Sequence, residues 1–191
     1  MRTLVLASTS QWRRQLLQDA GIEVDCVAPE VDEAPILGST PVETAMLRAE
    51  AKAMAVAQLR PEALVLGADQ VIHLDGEAIG KPPSEGVWRE RLKAMRGRAH
   101  ALTTAVALWD GHDLEHEAVT TMVQFRHDIT DAEIDAYIAC GEAKGCAGGY
   151  MVERRGAWLV ESIDGDWLNV VGLPVLKVVS MLRARGWRMP V

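Results

Sequence analysis

The chain has 191 residues, with 20 Lys and Arg against 27 Asp and Glu, a formal charge of −7. Apolar residues make up 49 % and charged residues 25 %, an ordinary globular balance that excludes intrinsic disorder. No run of about 18 apolar residues occurs, which excludes a transmembrane helix, and an acidic chain without a basic tract is a poor nucleic-acid binder. The opening MRTLVLAST is too short in apolar residues for a signal-peptide core. Cys26, Cys140 and Cys146 fit neither C-x-x-C nor a zinc ribbon, so they read as free thiols of a cytoplasmic protein. At this length one core suffices, and residues 1–191 are expected to form a single domain.

In chain order, Thr3–Ala7 reads as an apolar strand. A helix over Gln11–Ala20 follows, capped by Ser10 and stopped by Gly21. Ile22–Val27 is a second strand. Thr40-Pro41-Val42-Glu43 joins a capping box to a proline at the first helical position and opens a helix to about Gln58. Leu64–Leu66 is a buried strand ending at Gly67-Ala68-Asp69. Val71–Ile79 holds Asp75-Gly76 between apolar residues, a hairpin signal. Ser84 caps a helix to Met95, and Ala101–Phe125 divides into two strands turning at Asp110-Gly111. Thr130-Asp131-Ala132-Glu133 starts a helix to about Cys140. A loop rich in glycine (Gly145, Gly148, Gly149) precedes two short strands flanking Asp164-Gly165-Asp166. Pro174 opens a last helix, ended by Gly186. Alternating elements with several hairpins predict an α/β fold with a mixed central sheet and flanking helices.

Three features carry chemistry. Arg13 and Arg14 place two cations in the first turn of a helix, where the macrodipole favours an anion. A phosphate held by free N–H groups, the Ser10 hydroxyl and guanidinium donors resolves that conflict; so does a pair of solvated arginines. Arg48 and Lys52 stand four apart on the next helix, either as a solvated face or as a second cationic pair. Asp69, with Gln70 after it, falls at the carboxyl end of an apolar strand, the edge where open α/β sheets place ligands; it is either a metal ligand or base, or a turn residue. Asp32-Glu33 adds carboxylates after the second strand, and Gly80-Lys81-Pro82 sets a lysine at a rigid corner. Together these supply cations for a polyphosphate and carboxylates for Mg²⁺. Gly145-x-x-Gly148-Gly149 lacks the Gly-Lys-Ser/Thr of a Walker loop, and no Ser sits in G-x-S-x-G. His112 and His116 lie beside a hairpin turn without H-E-x-x-H and read as solvent-exposed.

Leu6-Ala7-Ser8-Thr9-Ser10-x-Trp12-Arg13-Arg14, Pro29-Glu30-Val31-Asp32-Glu33, Gly67-Ala68-Asp69-Gln70-Val71, Gly80-Lys81-Pro82 and Asn169-Val170-Val171-Gly172-Leu173-Pro174 resemble, in order, the motifs of the Maf family of nucleotide pyrophosphatases. The resemblance implies a Maf/ITPase-like fold with two lobes around a cleft, commonly as a homodimer. It also implies Mg²⁺-dependent hydrolysis between the α- and β-phosphates of a nucleotide. On these motifs Ser10, Arg13, Lys52 and Lys81 would hold the polyphosphate. Glu33 and Asp69 would hold metal and water, with Asp69 the proton acceptor. The family has also been linked to septum formation, so a nucleotide-binding regulator of division is the non-enzymatic alternative.

Trp12, Gln70 and Glu153 are similar to the branch acting on 7-methyl-GTP, whereas the branch acting on dTTP and UTP has Pro, Thr and Gln at comparable places. Methylation at N7 makes guanine cationic, and an indole face then gains about 0.5–2 kcal/mol of cation–π attraction. A carboxylate at Glu153 accepts from guanine N1–H and the exocyclic amine. The alternatives are a core role for Trp12 and a surface ion pair of Glu153 with Arg154 or Arg155. Gln11 replaces the family's usual Pro, which loosens the first turn without removing a catalytic group. Gly149-Tyr150 and Asn169-Val170-Val171 follow the general family pattern more than the methyl-GTP branch.

Overall fold

The computed structural model describes residues 2–188. Its elements are β1 (Leu4–Ala7), α1 (Gln11–Asp19), β2 (Asp25–Val27), α2 (Pro41–Ala57), β3 (Leu64–Leu74), β4 (Glu77–Ile79), α3 (Glu85–Met95), β5 (Ala99–Trp109), β6 (Leu114–Phe125), α4 (Asp131–Cys140), β7 (Val160–Asp164), α5 (Trp167–Val171) and α6 (Val175–Ala184). The strands form one seven-stranded mixed sheet in the order β2-β1-β3-β5-β6-β7, with β4 on the outer half of β3. β1 runs parallel to β2 and β3, and the other pairs are antiparallel. The mixed α/β architecture expected from the alternating elements is therefore present. Among the described residues no helix is long and apolar enough to cross a membrane.

Alternation along β3 and β5 sets the layers. Val5, Ala7, Val65, Val71, Ala105 and Ala107 bury against an alanine seam of α2, formed by Ala45, Ala49 and Ala53. The opposite face packs Leu4, Leu6, Leu66, Val106 and Leu108 against Leu17 of α1 and Val178, Met181 and Leu182 of α6. Farther along that face, Ile72, Leu102, Val123 and Phe125 meet Trp88, Leu92 and Met95 of α3 and Ile134 and Tyr137 of α4. The small α2 seam lets the helix come close to the sheet. Gly67 shows how close: a Cβ there would stand 2.1 Å from the Ala49 carbonyl oxygen.

The helix starts expected from capping chemistry are all formed. Ser10, Thr40, Ser84 and Thr130 side chains each accept from the backbone N–H three residues on. At Thr130 the box is reciprocal, but the Glu43 carboxylate turns instead to the N–H and hydroxyl of Ser39. α1 closes its first turn with Gln11 at the first position. Two expectations are corrected. The strand expected to end at Asp69 runs on to Leu74 as one element with the hairpin strand. The second strand expected after Asp164-Gly165-Asp166 is instead α5, because Asp166 accepts from Leu168 N–H and Asn169 N–H and starts a helix.

Candidate active site

β1 ends at Ala7 opposite Gly67, and β4 begins pairing only at Ile72. Between them, the Ala68–Val71 edge of β3 has no strand beside it. This gap explains why Asp69 and Gln70 sit in mid-strand yet behave as a strand end: the parallel part of the sheet stops there, the place where such sheets leave a crevice. The Arg13 guanidinium enters the gap, donating to the Ala68 carbonyl at 2.7 Å and, from α1, to the Gly172 carbonyl at 3.1 Å. Burial lowers the Arg13 pKa, while the charges of Asp69 and Glu33 push it back up. Two of its five N–H donors are thus spent on backbone, which fixes the plane of the rest. Arg14, the second cation of that turn, is exposed and stands apart from the cleft.

The gap opens into a cleft of about 700 Å³. Ser10, Arg13, Arg48, Lys52 and Lys81 line it together with Glu33 and Asp69. Four cations face two carboxylates, an excess of two positive charges in the cleft of a chain that carries −7 overall. Lys52 and Asp69 are each only 7 % exposed. Lys52 Nζ lies 2.7 Å from Asp69 Oδ1 and 3.0 Å from Glu33 Oε1, so it joins the two carboxylates. Asp69 Oδ2 is buried with no hydrogen-bond partner. An ionised oxygen left so is costly, and a divalent cation or water at that place satisfies it. Asp32 turns away, its carboxylate accepting from Ala34 N–H.

Gln70 points to the other face of the sheet, where its amide donates to Thr104 Oγ1 at 3.0 Å and to the Asn169 carbonyl at 2.8 Å. Asn169, fully buried on α5, donates in turn to the Leu102 and Val119 carbonyls and to Thr121 Oγ1. A second, smaller cavity of about 140 Å³ begins here. Trp12, Gln70, Tyr150, Glu153 and Val170 are among its walls, and it shares Ser10, Arg13, Gln70 and Ala147 with the larger cleft. Trp12 is 40 % exposed, which removes the core reading. Burial raises the Glu153 pKa, with the Arg154 charge acting against it. Gly149, just before Tyr150, has φ at +74° and no room for a side chain beside Trp88, whose Nε1 donates to its carbonyl at 2.6 Å.

The structure therefore gathers all nine expected residues along two connected cavities. Arg48, the other member of the cationic pair read on α2, also lines the larger cleft and donates to the Ile36 carbonyl at 3.1 Å, and the structure adds Tyr150 in the smaller cavity. Cys26, Cys140 and Cys146 are free thiols, and His112 and His116 are exposed.

The Maf-like protein family matches residues 3–185. A 7-methyl-GTP pyrophosphatase from Cupriavidus pinatubonensis is 39 % identical over 187 residues, covering 96 % of this chain and 94 % of that protein. A 7-methyl-GTP pyrophosphatase from Bordetella pertussis is 40 % identical, with 96 % and 92 % covered. A nucleoside triphosphate pyrophosphatase from Streptomyces coelicolor is 44 % identical over 183 residues, with 92 % and 88 % covered. Among solved structures, a HAM1 protein from Coxiella burnetii is similar in fold, with a TM-score of 0.54 at 15 % identity, covering 96 % of this chain and 100 % of that one.

Proposed function

Because the chain belongs to the Maf family and is a hydrolase of the nucleoside triphosphate pyrophosphatase class, we propose that it cleaves the α–β phosphate bond of 7-methyl-GTP to the monophosphate and pyrophosphate. The observation that carries this reading is the pair of connected cavities. One has an excess of positive charge around a buried carboxylate, and the other is walled by an indole and a carboxylate. A ligand with a polyanionic tail and a planar cationic head fits both at once.

Arg13, Arg48, Lys52 and Lys81 bind the triphosphate and stabilise the charge that builds on the leaving pyrophosphate, with the Ser10 hydroxyl beside them. Asp69 orients the attacking water and takes its proton; Lys52 holds its Oδ1, so the carboxylate is fixed before substrate arrives. The unpartnered Asp69 Oδ2 and the half-exposed Glu33 are hard oxygen donors and would hold a divalent cation such as Mg²⁺. When bound, that ion supplies neutralisation of phosphate charge and polarisation of the reacting bond. Trp12 stacks on the base, Glu153 accepts from the guanine edge, and Gln70 sets the depth of the base cavity.

The test is a hydrolysis series with 7-methyl-GTP, GTP, UTP, dTTP and CTP and Mg²⁺. The highest kcat/KM is expected for 7-methyl-GTP, with monophosphate and pyrophosphate formed in equal amounts. A preference for UTP or dTTP overturns the base assignment, and binding without pyrophosphate release leaves a nucleotide-binding regulator. A broad nucleotide preference is the second reading. It is favoured by the Streptomyces relative and by Gly149-Tyr150 beside the base cavity.

A further inference from the structure

Arg154 places its guanidinium carbon 5.1 Å from the centroid of the Trp12 ring. The turn responsible is closed by Arg154 N–H donating to the Met151 carbonyl at 3.1 Å. That turn sets Glu153 in the wall of the smaller cavity and leaves Arg154 exposed outside it. The free protein thus already holds a cation over its exposed indole. A ring's quadrupole attraction is finite, and a second cation brought to the same ring meets either an occupied face or one polarised from the far side. A neutral purine stacked on the open face does not depend on that polarised quadrupole and stacks as before.

We propose that Arg154 is a specificity-determining residue which, acting through Trp12, lowers the preference for a cationic over a neutral purine nucleotide. The inference rests on the assignment of Trp12 as the base platform. It predicts a substrate range broader than Trp12 and Glu153 alone would give. The ratio of kcat/KM for 7-methyl-GTP to that for GTP reads the response to the ring charge, and comparing its change with and without Trp12 separates the Trp12 route from Glu153, which both the ring charge and Arg154 also influence. Loss of attraction for the triphosphate on removing an arginine cancels in the same ratio.

The experiment measures that ratio in the wild type, Arg154→Gln, Arg154→Lys, Trp12→Ala and the Trp12→Ala/Arg154→Gln double variant, with thermal melts to confirm folding. Arg154→Gln should raise the ratio by about two- to tenfold, the span of an exposed to partly desolvated cation–π contact. Arg154→Lys, which keeps a cation at the ring, should stay near the wild-type ratio. In the Trp12→Ala background the Arg154→Gln change should leave the ratio where Trp12→Ala alone put it. An unchanged ratio in Arg154→Gln, or a change that persists without Trp12, overturns the proposal while the platform assignment stands. A ratio unmoved by Trp12→Ala overturns the platform assignment and this inference with it.

Discussion

Gly67→Ala tests whether the distance between α2 and β3 sets the site. The new Cβ would lie 2.1 Å from the Ala49 carbonyl oxygen, 2.8 Å from Ala53 N and 3.0 Å from Ala53 Cβ. Ordinary contact begins at 3.4 Å, so most of this deficit must come from moving helix backbone, which has no rotamer to change. Overpacking of this kind costs about 3 kcal/mol, at the upper end of its usual range. For a chain of this length that corresponds to a melting temperature lower by about 6–12 °C. The catalytic loss should be larger than the stability loss. Lys52 lies on the same turn of α2 as Ala49 and Ala53, and its 2.7 Å bond to Asp69 spans the same interface. A shift of about 1 Å at a positioned group is enough for a roughly hundredfold fall in rate. Urea unfolding and pyrophosphate release at a temperature where the variant is folded measure the two effects separately. A variant with the wild-type unfolding midpoint and the wild-type turnover would refute the argument that close approach of this helix holds Lys52 against Asp69.

Further predictions concern single groups. Asp69→Asn should abolish pyrophosphate release while nucleotide binding, followed by calorimetry, is largely kept; turnover at the wild-type rate removes Asp69 as proton acceptor. Lys52→Met leaves the buried Asp69 carboxylate without its ammonium and should destabilise by about 3–5 kcal/mol in urea, and a loss under 1 kcal/mol contradicts the burial of that pair. His100 is buried against Tyr150 and Phe125, and burial, aided by the charge of His73, lowers its pKa to about 4. Since the unfolded histidine binds its proton first, the stability from the neutral ring is complete above about pH 6.5 and is lost as pH falls toward 4, by about 3 kcal/mol in all. His100→Gln should remove that slope from urea midpoints measured between pH 7 and 4.5, and an identical slope in the variant excludes His100 as its source. Trp88→Phe loses the bond to the Gly149 carbonyl and should cost about 1 kcal/mol in urea unfolding, and an unchanged midpoint excludes that bond as a source of stability.

What could be read from the sequence follows the range of the physics involved. Helix starts rest on one side chain and a backbone three residues away, so Ser10, Thr40, Ser84 and Thr130 were all recognisable. Asp69-Gln70 interrupts an apolar run and so predicts a strand shorter than β3, and only the tertiary structure provides Lys52 for one and Asn169 for the other. Trp-Leu-Asn-Val-Val, rich in aromatic and β-branched residues, predicts a strand where α5 forms. The Asp166 cap and the buried bonds of Asn169 override that preference. The site motifs were visible as residue types, but their joining into two cavities depends on the sheet gap between β1 and β4. The Arg13 contacts with Ala68 and Gly172 span 55 and 159 positions of chain and leave no local trace.

The neighbours Asp69 and Gln70 project from opposite sides of one strand, the first toward α2 and the second toward α5. If the first cuts and the second helps choose what is cut, the pleat separates those two jobs by a single peptide unit. Mutational drift at position 70 and its surroundings can then redirect which nucleotide is cleared from the pool without disturbing the hydrolytic step. A lineage built on this sheet can diversify its diet while inheriting its chemistry intact.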